Sequence, residues 1–129
     1  MTDAQTALSR RAVACKGWRW MPGMATVQGE RVVLMDDDGT LRLAAPWGGT
    51  VGVTAVRSFF DSGGACLPDL IDPATLGCLL ALVRAVYPDA YTVPQFGGGW
   101  EVASPFDADV VGDGLSEAEA LVAALEGAP

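Results

Sequence analysis

Apolar residues recur every three or four positions in three stretches of the chain and alternate with polar ones in several others. The first helical stretch starts at Thr2, with Gln5 three residues on as its capping-box partner. It places Ala4, Leu8, Ala12 and Cys15 on one thin face and stops at Lys16-Gly17, since glycine is the usual residue past a helix end. This predicts a helix over 1–16. The second opens on Asp72-Pro73, a carboxylate N-cap followed by proline at the first helical position. Leu76, Leu79, Leu80, Val83 and Tyr87 then share a face until Pro88, which predicts a helix over 72–87. The third begins at Ser116 with Glu119 as a second capping box and carries Ala118, Leu121, Val122 and Leu125 inward over 116–126.

Strand patterns fill the intervals. Residues 24–28 are expected to pair with 31–35 across Gly29, and 31–35 with 40–44 across Asp38-Gly39, giving a β-meander over 24–44. Residues 50–57 alternate as a strand but are bracketed by the loop compositions Pro46-Trp47-Gly48-Gly49 and Asp61-Ser62-Gly63-Gly64. The segment 45–68 therefore reads as an irregular or β excursion. Gly97-Gly98-Gly99 leads into an alternating strand at Trp100, with 109–112 as its partner, a strand pair over 99–112. The order implies one α+β domain over 1–129, a mainly antiparallel sheet packed with helices in an α-β-α sandwich.

Composition narrows the chemistry. The 129 residues hold 8 Lys+Arg against 16 Asp+Glu, a net charge of −8, with no histidine. Without histidine there is no Ser-His-Asp or Cys-His nucleophile, no His-bound metal and no imidazole base, so the expectation is a non-enzyme with no catalytic residue, cofactor or metal. The charge argues against direct nucleic-acid binding, whose affinity rests on phosphate neutralisation. Cys15, Cys66 and Cys78 form neither a close metal-binding pair nor an even disulfide set. The longest apolar stretch, 76–83, falls far below the ~20 residues of a membrane span, and no basic-then-apolar leader opens the chain. These features predict a cytoplasmic location with no membrane contact. A 50% apolar content, with mean hydropathy +0.30, predicts self-association as a homo-oligomer.

The run "LPDLIDPATLGCLLALVR", the strand "GGWEV" and the closing "LSEAEALVAALEGA" resemble small proteins of phages and prophages, in particular the phage ABA sandwich domain family. The resemblance covers residues 67–126 and extends toward "KGWRWMPGM". It implies a phage or prophage origin, hence a bacterial host cell, and an αβα layer arrangement. It implies no particular chemistry, and the glycine-rich excursion over 45–68 departs from the family pattern.

Several clusters invite functional readings. Asp36-Asp37-Asp38-Gly39 resembles the start of a cation loop, but the following Thr-Leu-Arg-Leu lacks the alternating oxygen ligands, which leaves a solvated hairpin turn. Asp69 and Asp72, with Asp61, form a carboxylate cluster for which capping and solvation account. Residues 1–19 hold Arg10, Arg11, Lys16 and Arg19 against Asp3 alone, a balance of +3, so the rest of the chain carries −11. Here Trp18 and Trp20 are expected to stack a base while arginines such as Arg19 hold phosphates, and in a site formed between subunits Arg57 or Arg84 of a neighbouring copy completes it. The competing account buries both tryptophans and leaves Arg19 in solvent. Gly48-Gly49 and Gly97-Gly98-Gly99 match no phosphate-loop spacing and read as loops. Two functions follow as expectations. One is sequestration of a small anionic nucleotide-like immune signal, an anti-defence sponge. The other is an acidic, DNA-mimic-like inhibitor of a host nuclease or defence protein, with a phage structural role as a further alternative.

Overall fold

Each helix begins where the sequence supplies a cap. Thr2 Oγ1 accepts the Gln5 N–H at 3.1 Å while Gln5 Oε1 accepts the Thr2 N–H at 2.8 Å, the full reciprocal box that starts α1, Asp3–Ala14. Asp72 Oδ2 accepts the Thr75 N–H at 2.9 Å and starts α2, Pro73–Val86. Ser116 Oγ accepts the Glu119 N–H at 3.1 Å and starts α3, Glu117–Glu126. The third cap departs from the expected box, because Glu119 Oε2 reaches past Ser116 to the Leu115 N–H at 2.7 Å. The structure, a computed structural model, describes residues 2–35, 40–44, 50–54, 67–106 and 109–129.

Among the described residues the strands form two antiparallel sheets of three. In the first, β1 (Arg31–Met35), β2 (Thr40–Ala44) and β3 (Thr50–Thr54) lie side by side in chain order, with Val32 opposite Leu43 and Leu43 opposite Val51. A register shift between Val32 and Leu34 accompanies the outward turn of Val33. In the second, β4 (Tyr91–Pro94), β5 (Trp100–Ala103) and β6 (Val110–Gly114) are ordered likewise. Gly97, Gly98 and Gly99 all have positive φ, and the Gln95 N–H bonds the Gly99 carbonyl at 2.9 Å, so the triple glycine is the turn of the β4–β5 hairpin.

The expected strand over 24–28 does not form. Its place is taken by isolated bridges, Ala25 to Arg31 and Thr26 to Pro68. The segment divides its backbone groups among three neighbours. The Met24 carbonyl accepts from Val32, the Val27 N–H donates to Leu67, and the Ala25 N–H donates to the Thr75 hydroxyl at 2.8 Å. No continuous ladder can form when successive groups face different partners.

The core is organised around α3. Ala120, Leu121, Val122 and Ala124 are fully buried, and α3 lies on β5 and β6 while α1 and α2 pack against it. Gly112 and Gly114 set that approach: a Cβ on Gly112 would stand 2.4 Å from the Ala120 carbonyl oxygen, and one on Gly114 the same distance from Glu119 Cβ. The architecture is α+β with antiparallel sheets, as the element order implied. Among the described residues, no helix is long and apolar enough to cross a membrane.

Candidate functional site

The tryptophan-bearing segment after α1 packs into the protein. Trp20 is 6% exposed and belongs to the core, and half-buried Trp18 meets it edge to face with ring centroids 5.6 Å apart. The Trp18 Nε1–H is itself buried and has no hydrogen-bond partner among the described residues. Arg19 is exposed, as expected for alternation in an extended segment. Arg84 is engaged locally: its Nε donates to the Ala90 carbonyl at 2.7 Å, tying the end of α2 to the chain entering β4. Arg57, Asp36-Asp37-Asp38-Gly39, Gly48-Gly49, Asp61 and Cys66 lie outside the described residues. The structure thus brings Trp18 and Trp20 together as packing partners.

Two further arginines are paired. Arg31 donates Nη1 and Nη2 to the two oxygens of Asp72 at 3.1 and 3.0 Å and also bonds the Gly23 carbonyl at 2.6 Å. This guanidinium, with the Thr75 bonds, lowers the Asp72 pKa to about 2. Asp72 therefore caps α2, accepts the Thr75 hydroxyl and clasps β1. Arg11 forks onto Glu126 across α1 and α3 at 3.2 and 2.6 Å and holds the Glu126 carboxyl below its usual range.

A recess of about 360 Å³ opens where the first turns of the three helices meet. Its walls are Ala4 and Leu8 of α1, Leu70 and Ile71 of the loop before α2, Leu76 of α2 and Ala118 of α3. Leu8, Leu70 and Ala118 are buried, whereas Ile71 is 62% exposed at the lip. Polar groups on the walls are already engaged. Ser9 Oγ donates to the Pro68 carbonyl at 2.8 Å, Ser116 caps α3, and Gln5 completes the Thr2 box.

Around this recess stand three carboxylates, Asp69, Glu117 and Glu119. Each has one local bond: Asp69 Oδ1 from the Ile71 N–H, Glu117 Oε1 from the Thr92 hydroxyl, and Glu119 Oε2 from the Leu115 N–H. Among the described residues none forms an ion pair and no cation lines the recess, although Arg31 and Arg11 lie within electrostatic reach of Asp69 and Glu119 respectively. Glu117 and Glu119 sit in the first turn of α3, where the helix dipole favours negative charge. An anion placed here would meet three like charges, whereas an apolar body bearing a cation would meet complementary ones.

A second, more polar recess of about 350 Å³ lies beside the β4–β5 turn and includes Glu101, Asp113 and Glu119. Among the described residues, no group of histidine, cysteine or carboxylate side chains is placed to hold a metal ion. Neither recess is lined by Trp18, Arg19, Trp20 or Arg84. Sequence reasoning identified all three helix starts but not their convergence. The available signal was Ile71, an apolar residue in a loop between two carboxylates. No protein-family model, curated protein or solved structure matches the chain.

Proposed function

We propose that the protein is a non-enzymatic binding protein whose acidic body engages a basic protein partner. The observation that carries this reading is the apolar recess framed by Asp69, Glu117 and Glu119, with no cation among the described residues that line it. It is supported by the engagement of Arg11, Arg31 and Arg84 within the fold, against a net charge of −8. A phage or prophage source, which the resemblance of residues 67–126 implies, makes a host nuclease or defence protein the partner class. Binding blocks the partner's cationic surface and cleaves no bond.

A second reading draws on the exposed cations Arg10, Lys16 and Arg19, which form no ion pair among the described residues. They would hold a small nucleotide-derived anion. The burial of Trp20 and the packing of Trp18 against it weaken this reading, because they remove the stacking surface it needs.

Calorimetric titration separates the two. Lysine-rich peptides should bind with an affinity that falls as salt is raised, and charge-matched acidic peptides should not. Cyclic dinucleotides and cyclic ADP-ribose variants should give no heat. Heat from the nucleotides with none from the basic peptides would overturn the acidic-partner reading in favour of anion sequestration.

A further inference from the structure

We propose that the recess at the three helix starts is an anchor pocket that takes one apolar side chain of the partner with a lysine or arginine beside it. The inference rests on the acidic-partner reading and deepens it by stating what the partner must present. The argument begins with the walls. Leu8, Leu70 and Ala118 make a buried apolar floor, and Ile71 and Ala4 form an exposed lip that an incoming side chain would cover. A volume of about 360 Å³ lies at the lower end of the ~300–1,000 Å³ typical of ligand pockets, which suits a single inserted group.

Polarity then selects the occupant. Ser9 Oγ, Gln5 Oε1 and Ser116 Oγ each make a bond within the protein, and Leu8, Leu70, Leu76 and Ala118 make the rest of the interior apolar. The carboxylates each retain an oxygen without a bond among the described residues, and they stand where the cation next to an inserted apolar group would lie. A buried apolar anchor ringed by charge is the arrangement in which a few residues supply most of an interface's affinity, while the charges speed and orient encounter.

The test uses three probes sharing one apolar body: phenylbutylamine, phenylbutanol and phenylbutyrate, titrated by NMR. The amine should bind about tenfold more tightly than the alcohol, and the carboxylate more weakly than either, as expected for a cation among rim carboxylates. Shifts should centre on the amides of Ala4, Leu8, Ile71, Leu76 and Ala118. Ala4→Phe, at an exposed helix position, should fill the recess and abolish binding of all three without unfolding the chain. Asp69→Asn with Glu117→Gln retains the local hydrogen bonds and should remove most of the amine's advantage over the alcohol, Glu119 accounting for the remainder.

Equal affinity for the three probes, or shifts elsewhere, would overturn the proposal. Concentration-dependent shifts of the same amides without probe, with a doubled mass in sedimentation, would assign the recess to a second copy and also overturn it. A lysine-rich peptide with one leucine should bind the wild-type chain better than its alanine counterpart, a difference that Ala4→Phe removes. If both peptides bind equally, the anchor pocket fails and the acidic-partner reading stands. If neither binds while the amine does, the acidic-partner reading fails, and the anchor role with it.

Discussion

Replacing Gly112 by alanine adds one methyl group at one of the two points where β6 comes closest to α3. That carbon would lie 2.4 Å from the Ala120 carbonyl oxygen, 2.5 Å from the Ala124 nitrogen and 2.8 Å from Ala124 Cβ. Two of the three atoms are backbone of α3, so no rotamer change relieves the clash. Ordinary contact distances require α3 to withdraw from β6 by about 1 Å, which loosens packing around the buried Val102 and Leu121. Overpacking of this kind costs about 1–3 kcal/mol and sometimes more, and the upper end applies because the obstacle is backbone. Alanine recovers ~0.5–1 kcal/mol by restricting the unfolded chain. The net loss is about 2 kcal/mol, or a fall of roughly 6–8 °C in melting temperature for a domain of this size. Gly77 supplies the control: it is exposed on α2 with nothing within 4 Å of an added Cβ, so Gly77→Ala should stabilise by ~0.5–1 kcal/mol. Urea and thermal unfolding followed by far-ultraviolet circular dichroism measure both. A Gly112→Ala protein as stable as wild type would refute the inferred closeness of α3 to β6.

Three other outcomes are expected. Asp72 has a depressed folded-state pKa, so its contribution is fully present above the unfolded value near 3.8 and is lost as pH falls toward about 2. Because Arg31 remains half-exposed, that contribution is on the order of 1 kcal/mol, and urea midpoints of wild type and Asp72→Asn should converge between pH 5 and roughly pH 2. Trp20→Ala should cost ~3–5 kcal/mol, whereas Arg19→Ala should stay within ~0.5 kcal/mol of wild type, both read from urea midpoints. Burial raises the thiol pKa of Cys15 and Cys78, so peptide mapping after a brief iodoacetamide treatment at neutral pH should find Cys15 unmodified and Cys78 slow to react.

Local chemistry was the legible part of the fold. Thr2, Asp72 and Ser116 each announce a helix because a side-chain oxygen must satisfy nearby N–H groups, a requirement settled within four residues. The β4 strand was missed: Tyr91-Thr92-Val93 has strand-forming residues, but a strand of four residues that ends in Pro94 is too short to show alternation. The failure at 24–28 has another origin, since its partners Leu67 and Thr75 lie some forty to fifty residues away. The candidate site divides the same way. That Trp18 and Trp20 share a side followed from extended geometry, but whether that side faced solvent or core depended on distant elements. The apolar recess draws its walls from three helices and so had no contiguous signature.

The fork between Arg11 and Glu126 joins α1 to α3 across 115 positions of sequence. As a ribosome delivers the chain, α1 emerges well before α3 and cannot finish burying its thin apolar face until α3 has been made. At ~5–20 residues per second, that interval lasts several seconds. At its end, once residue 114 has been added, the nascent protein has the strands of the second sheet without the helix that covers them. Assembly around α3 is therefore a closing event, set by the high sequence separation of its contacts. A chain stalled before residue 117 should retain an exposed apolar sheet face and become a substrate for chaperones.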